Sequence, residues 1–137
     1  MSRHGDWYSK LQAVVKAHDR APWERGKRDC ATFVADCLLA IGADDILAGL
    51  RGNYTNRVEL LRQIAALGFR NPMEIATSWC DSHGYPEIEP MFAQCGDLGI
   101  TNNDTVCIRM TSGFLAMAES GGICIVTPIK AWAIEWA

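Results

Sequence analysis

The chain has 137 residues, 49% of them hydrophobic, 21% charged and 9% aromatic, which fits one ordinary globular domain and speaks against a disordered one. Its net charge of −3 hides a gradient: residues 1–30 hold seven Lys/Arg against four acids, while residues 71–137 hold only Arg109 and Lys130 against eight. With no basic stripe and no apolar run near the roughly 18 residues of a membrane span, neither nucleic-acid binding nor a membrane span is expected.

Asp6 is placed to cap a first helix that carries Trp7, Leu11, Val14 and Val15 on one face and ends before Pro22. A second helix is predicted from Cys30 to about Ile41, with Phe33, Val34, Cys37, Leu38 and Ile41 at helical spacing and Gly42 as its stop. A third begins after Asn56, with Glu59 closing a capping box, and buries Leu60, Leu61, Ile64 and Leu67. In a fourth, Asn71 caps and Pro72 takes the first helical position. Ile75, Ala76, Trp79 and Cys80 then face inward as far as Gly84.

From Gly96 the hydrophobic period changes to two. Strands are predicted over 97–101, 105–111, 114–119 and 123–127, with Asn102-Asn103-Asp104, Ser112-Gly113 and Gly121-Gly122 as turns. Trp132, Ile134 and Trp136 alternate on a last strand after Pro128, a residue that suits a sheet edge or a strand start. The expected architecture is α+β, one domain over residues 1–137, with N-terminal helices packed on a C-terminal antiparallel sheet.

The six cysteines at 30, 37, 80, 95, 107 and 124 form no CxxC pair and no Cys/His knuckle, so no metal or cofactor is expected. Most read as small buried apolar residues. Cys30 differs. In the first turn of a helix its thiol faces unpaired N–H groups and the positive end of the helix dipole, with Lys27 and Arg28 beside it. That setting predicts a lowered pKa and a nucleophilic thiolate. The alternative, that Cys30 is simply the first core residue of its helix, stays open at this point.

A cysteine hydrolase also needs a base. His4 lies near the start, His18 at the end of the first helix, and His83 in the stretch Cys80 to Pro86. His83 is the one candidate partner for Cys30, its alternative being an exposed residue at a helix end. Asp97, at a strand start, either orients a base or fixes a turn.

The pattern Trp23-x-x-Gly26-x-x-Asp29-Cys30-x-x-Phe33, a helix, and then Gly96-Asp97-Leu98 opening a run of short strands resembles the layout of NlpC-type papain-like cysteine peptidases. With Leu50-Arg51-Gly52-x-Tyr54, Val106-Cys107-Ile108 and Ala131-Trp132, the chain more closely resembles a small phage and prophage family of that fold. The resemblance implies a papain-like sheet packed on the Cys30 helix, Cys30 as the nucleophile, and work in a phage tail, where such domains open peptidoglycan or sit in the tail tip. It also implies a His at about Thr105 to Cys107. None stands there, and no His follows His83. A vestigial Cys30 is the corollary.

Three functions follow as expectations. The first is a tail-tip, baseplate or tail-assembly component that no longer hydrolyses. Such a protein, lacking a signal peptide, is made in the host cytoplasm, carried in the virion tail and held by other tail proteins through Trp132 and Trp136. The second is a cysteine endopeptidase or amidase that cleaves peptidoglycan with Cys30 as nucleophile. The third is a small cytoplasmic prophage protein that binds or inhibits a partner.

Overall fold

The computed structural model describes Arg3 and residues 5–134. Among them four α-helices come first: α1 Trp7–His18, α2 Cys30–Ile41, α3 Arg57–Ala66 and α4 Pro72–His83. Six short strands follow: β1 Glu87–Ile88, β2 Leu98–Ile100, β3 Val106–Met110, β4 Gly113–Met117, β5 Ile123–Val126 and β6 Lys130–Trp132. They form one antiparallel sheet in the order β1-β6-β2-β3-β4-β5. The α+β expectation holds. None of the described helices is long and apolar enough to cross a membrane.

Side-chain oxygens start three of the helices. Asp29, Asn56 and Asn71 accept hydrogen bonds from the backbone N–H of Thr32, Glu59 and Glu74, the cap geometry that meets an otherwise unpaired donor. Asp6 makes no such bond before α1. Gly42 and Gly84 close α2 and α4 in the left-handed region, as their positions in the sequence predict.

The core lies between α2 and one face of the sheet. Trp132, Leu98, Ile108 and Leu115 stand side by side across β6, β2, β3 and β4 by strand register. All four are buried together with Phe33, Val34, Cys37 and Leu38 of α2. The change of period near Gly96 therefore does mark a helix layer meeting a sheet layer. On the opposite face, Gly99 is required by close approach. A Cβ there would lie 2.8 Å from the Phe114 ring and 2.9 Å from the Cys107 sulfur.

Three expectations need correction. α3 buries only Ile64 completely, while Leu61 and Leu67 are 42% and 48% exposed, Leu61 bordering a cavity instead of the packed core and Leu67 standing at the helix C-cap. The last strand is shorter than its alternation suggests. Beyond Trp132 the backbone leaves the ladder, and the Ile134 N–H donates to Asp97. Nor is that strand an edge: the unforeseen β1 pairs with it, leaving β1 and β5 at the margins.

Candidate functional site

Everything around Cys30 is arranged by Asp29. This carboxylate is 1% exposed, in a position that must be filled with donors if it is to stay charged. It accepts from the N–H of Thr32 and of Gly26, both at 2.8 Å, and from the Tyr54 hydroxyl at 2.9 Å. The Thr32 hydroxyl in turn accepts from the Asp29 N–H at 2.9 Å, which completes the capping box. Gly26 sits at φ +87° with the Tyr54 carbonyl against it; a Cβ would come within 2.2 Å of that oxygen. The Gly26-x-x-Asp29 spacing and Tyr54 are thus one structural unit, joining the loop before α2 to the segment before α3.

Asp97 does comparable work at the other signature. Its carboxylate accepts from the Gln94 N–H at 2.8 Å and the Ile134 N–H at 3.0 Å, and lies 3.6 Å from the Arg3 guanidinium. Arg3 also donates to the Cys95 and Ile134 carbonyls. Burial pulls this guanidinium down to about 10, against the opposing pull of Asp97. Of the two roles open to Asp97, it takes that of a turn-and-tail clamp.

Cys30 is half-buried and lines a cavity of about 560 Å³. The walls come from α2, the turns near Leu47 and Leu50, α3, α4 and the β2–β3 turn. Burial pushes the thiol up to about 11, with the neighbouring Asp29 charge acting in the same direction. Arg25 and the N–H groups of Ala31 and Val106 pull the other way and do not prevail. The expected lowered pKa is therefore overturned. Two physical causes explain it. Desolvation outweighs the helix terminus, and the cation assigned to the task is engaged elsewhere: Arg28 donates to the Pro22 carbonyl and pairs with Glu24 at 3.2 Å. Arg25, the cation that does act on Cys30, stacks on Trp23 at 4.6 Å.

The β2–β3 turn and the first residue of β3 deliver Thr105 and Val106 to the same cavity. This is the stretch where the resemblance calls for a histidine. Thr105 is tied into its turn, its N–H donating to the Thr101 hydroxyl at 3.1 Å. Neither side chain has a basic atom. No imidazole lines the cavity among the described residues.

The histidines are occupied in other places. His83 is the last residue of α4 and does not line the Cys30 cavity. Its Nε2 lies 2.9 Å from Asp44 and its Nδ1 2.7 Å from the Trp79 carbonyl, with Trp79 and Tyr85 rings against it. It links α4 to the loop after α2. His18 is buried, bonded to the Val14 carbonyl and packed on Phe33. His4 lies outside the described residues. Trp132, read from the sequence as an interface residue, is 1% exposed and belongs to the core, since the inner face of β6 looks onto α2. Trp136 lies outside the described residues. All six cysteines are free thiols.

A family model described as Domain of unknown function (DUF6950) matches residues 2–137. The chain belongs to this family. No curated protein and no solved structure matches it.

Sequence reasoning did not assign roles to Tyr54 and Arg25. Tyr54 had a signal in the Leu50-Arg51-Gly52-x-Tyr54 pattern, but only the fold shows that its hydroxyl meets Asp29. Arg25 lies in the Arg25, Lys27, Arg28 cluster, and nothing in that cluster distinguishes the one cation that turns toward Cys30.

Proposed function

We propose that this DUF6950 chain is a papain-like, NlpC-type domain that has kept the nucleophile helix and lost hydrolysis. In this reading it works as a structural component of a phage tail tip or baseplate, made in the host cytoplasm and carried in the virion. One observation carries the loss of hydrolysis: Thr105 and Val106 share the Cys30 cavity at the place where a base would have to stand. Without an imidazole in the cavity, a thiol at about 11 lacks the group that ordinarily takes its proton and later protonates a leaving amine. The sequence resemblance supports the tail assignment, as does an intact Asp29 clamp beside a cleft that lacks an imidazole.

The test has two arms. Purified protein incubated with peptidoglycan sacculi is expected to release no muropeptides. Release that disappears in Cys30→Ala would overturn the reading in favour of a working cysteine endopeptidase or amidase. Mass spectrometry of purified particles from a phage encoding the chain is expected to find it in the tail. Its absence from particles would favour a free binding or inhibitor protein.

A further inference from the structure

The cavity beside Cys30 carries a chemistry that a purely structural subunit does not require. Its volume of about 560 Å³ falls among small-molecule sites, which span roughly 300–1,000 Å³. One side of its wall is aliphatic, with Val34 of α2, Leu47 and Leu50 of the following turns, Leu60 and Ile64 of α3, and Ile75 of α4, while charged and polar residues make up the rest. Among the described residues no aromatic ring lines it. Protein interiors are otherwise close-packed, and an apolar space of this size is poorly served by water.

The rim supplies charge in a selective way. Of the three arginines that line it, Arg70 has a carboxylate within ion-pair distance, Glu74. Among the described residues Arg25 and Arg57 have none, and both line the cavity. The two differ in readiness. Arg57 is exposed at the start of α3, whereas Arg25 is half-buried, held against the Trp23 ring and close enough to Cys30 to act on its thiol. The buried carboxylate nearby, Asp29, has its oxygens taken by Gly26, Thr32 and Tyr54 and makes no direct ion pair with Arg25, whose N–H groups it leaves to another acceptor. Asp104 and Glu119 also reach the rim, from turns of the sheet, without pairing to either arginine.

An aliphatic wall with one positioned guanidinium that has no direct ion pair is complementary to an apolar chain that ends in an anion. We propose that the cavity binds an aliphatic monocarboxylate, its chain lying between α2 and the α3–α4 pair and its carboxylate on Arg25. The inference is independent of the tail assignment, because it rests on the wall and rim alone.

Dodecanoate is the probe, titrated by calorimetry into the full chain below its micelle concentration. Saturable binding at a single site is expected, with no saturable binding of dodecyltrimethylammonium, which has the same chain and the opposite charge. Arg25→Gln is expected to weaken dodecanoate binding about tenfold, and Arg57→Gln by less. Leu61→Asp, at an exposed position of the wall, is expected to abolish it. Bound dodecanoate should also slow alkylation of Cys30 and leave that of Cys124 unchanged. Absence of saturable binding would overturn the proposal. So would equal binding of the cationic analogue, or an affinity unmoved by Arg25→Gln.

Discussion

α2 and α3 open with the same device and end up with opposite surroundings. Each has a side-chain oxygen accepting from the N–H three residues on, Asp29 from Thr32 and Asn56 from Glu59. Yet α2 buries Thr32, Phe33, Val34, Ala35, Cys37, Leu38 and Ile41, whereas α3 buries only Ile64. The caps differ in kind as well. Asp29 is buried and joins three chain segments, while Asn56 is exposed and serves its own helix, with the Glu59 carboxylate bonded to Thr55 nearby. A cap decides where a helix begins. What the helix faces decides how much it contributes to stability, and α3 faces a cavity.

The sharpest way to break the comparison is at the two caps. Asp29→Ala leaves the buried Tyr54 hydroxyl and the N–H groups of Gly26 and Thr32 without their acceptor, and is expected to cost about 3–5 kcal/mol in urea unfolding. Asn56→Ala removes one exposed cap bond and should cost about 1 kcal/mol. Equal losses at the two positions would show that Asp29 acts only as a local cap. Tyr54→Phe sharpens the point. It removes one donor and leaves the carboxylate with those of Gly26 and Thr32, so about 1–2 kcal/mol is expected.

The same contrast explains how much could be read from the sequence. α2, its Gly42 stop and the sheet after Gly96 were legible because periodicity and turn residues are local signals, and the tertiary structure agrees with them. The start of α3 was legible for the same reason. Its burial was not: Leu60, Leu61, Ile64 and Leu67 satisfy a helical stripe, but a stripe does not say whether a core or a cavity lies opposite. β1 is two residues long and has no periodicity to detect, and without it β6 looks like an edge. At the site, the position of Cys30 at a helix start was readable. The direction of its pKa was not, because desolvation depends on the walls from α3, α4 and the β2–β3 turn.

A second prediction concerns that thiol. A lowered pKa would give an alkylation rate that levels off near neutrality. With Cys30 at about 11, the rate with iodoacetamide should climb roughly tenfold per pH unit and show no plateau below about pH 10. Cys30 should still react ahead of Cys37, which is fully buried and shifted upward more strongly. The linkage has a definite sign. Cys30 is raised from an ordinary value of 9.0, so it supports the folded state fully below that value. The support is lost as pH rises toward 11, and Cys107, raised to about 12 by burial, acts in the same window and above it. Chemical unfolding in Cys30→Ser, whose hydroxyl does not titrate there, should show a shallower alkaline decline.

The smallest effects are expected on the outer surface of α3, and they test whether its exposed apolar residues belong to the packing at all. Val58 and Leu67 are 58% and 48% exposed, so replacing either with Ser should change the unfolding free energy by no more than about 0.5 kcal/mol. Ile64 is 2% exposed, so Ile64→Ala should cost about 2–4 kcal/mol and mark the point where α3 is most firmly fastened. If Val58→Ser or Leu67→Ser proved as costly as Ile64→Ala, α3 would be an integral core helix like α2. The difference between the two halves would then vanish. If the gap holds, α3 is a cover fastened at Ile64, with Leu60 packed beside the Leu47, Leu50 and Tyr54 cluster and Leu61 there for the cavity wall it forms.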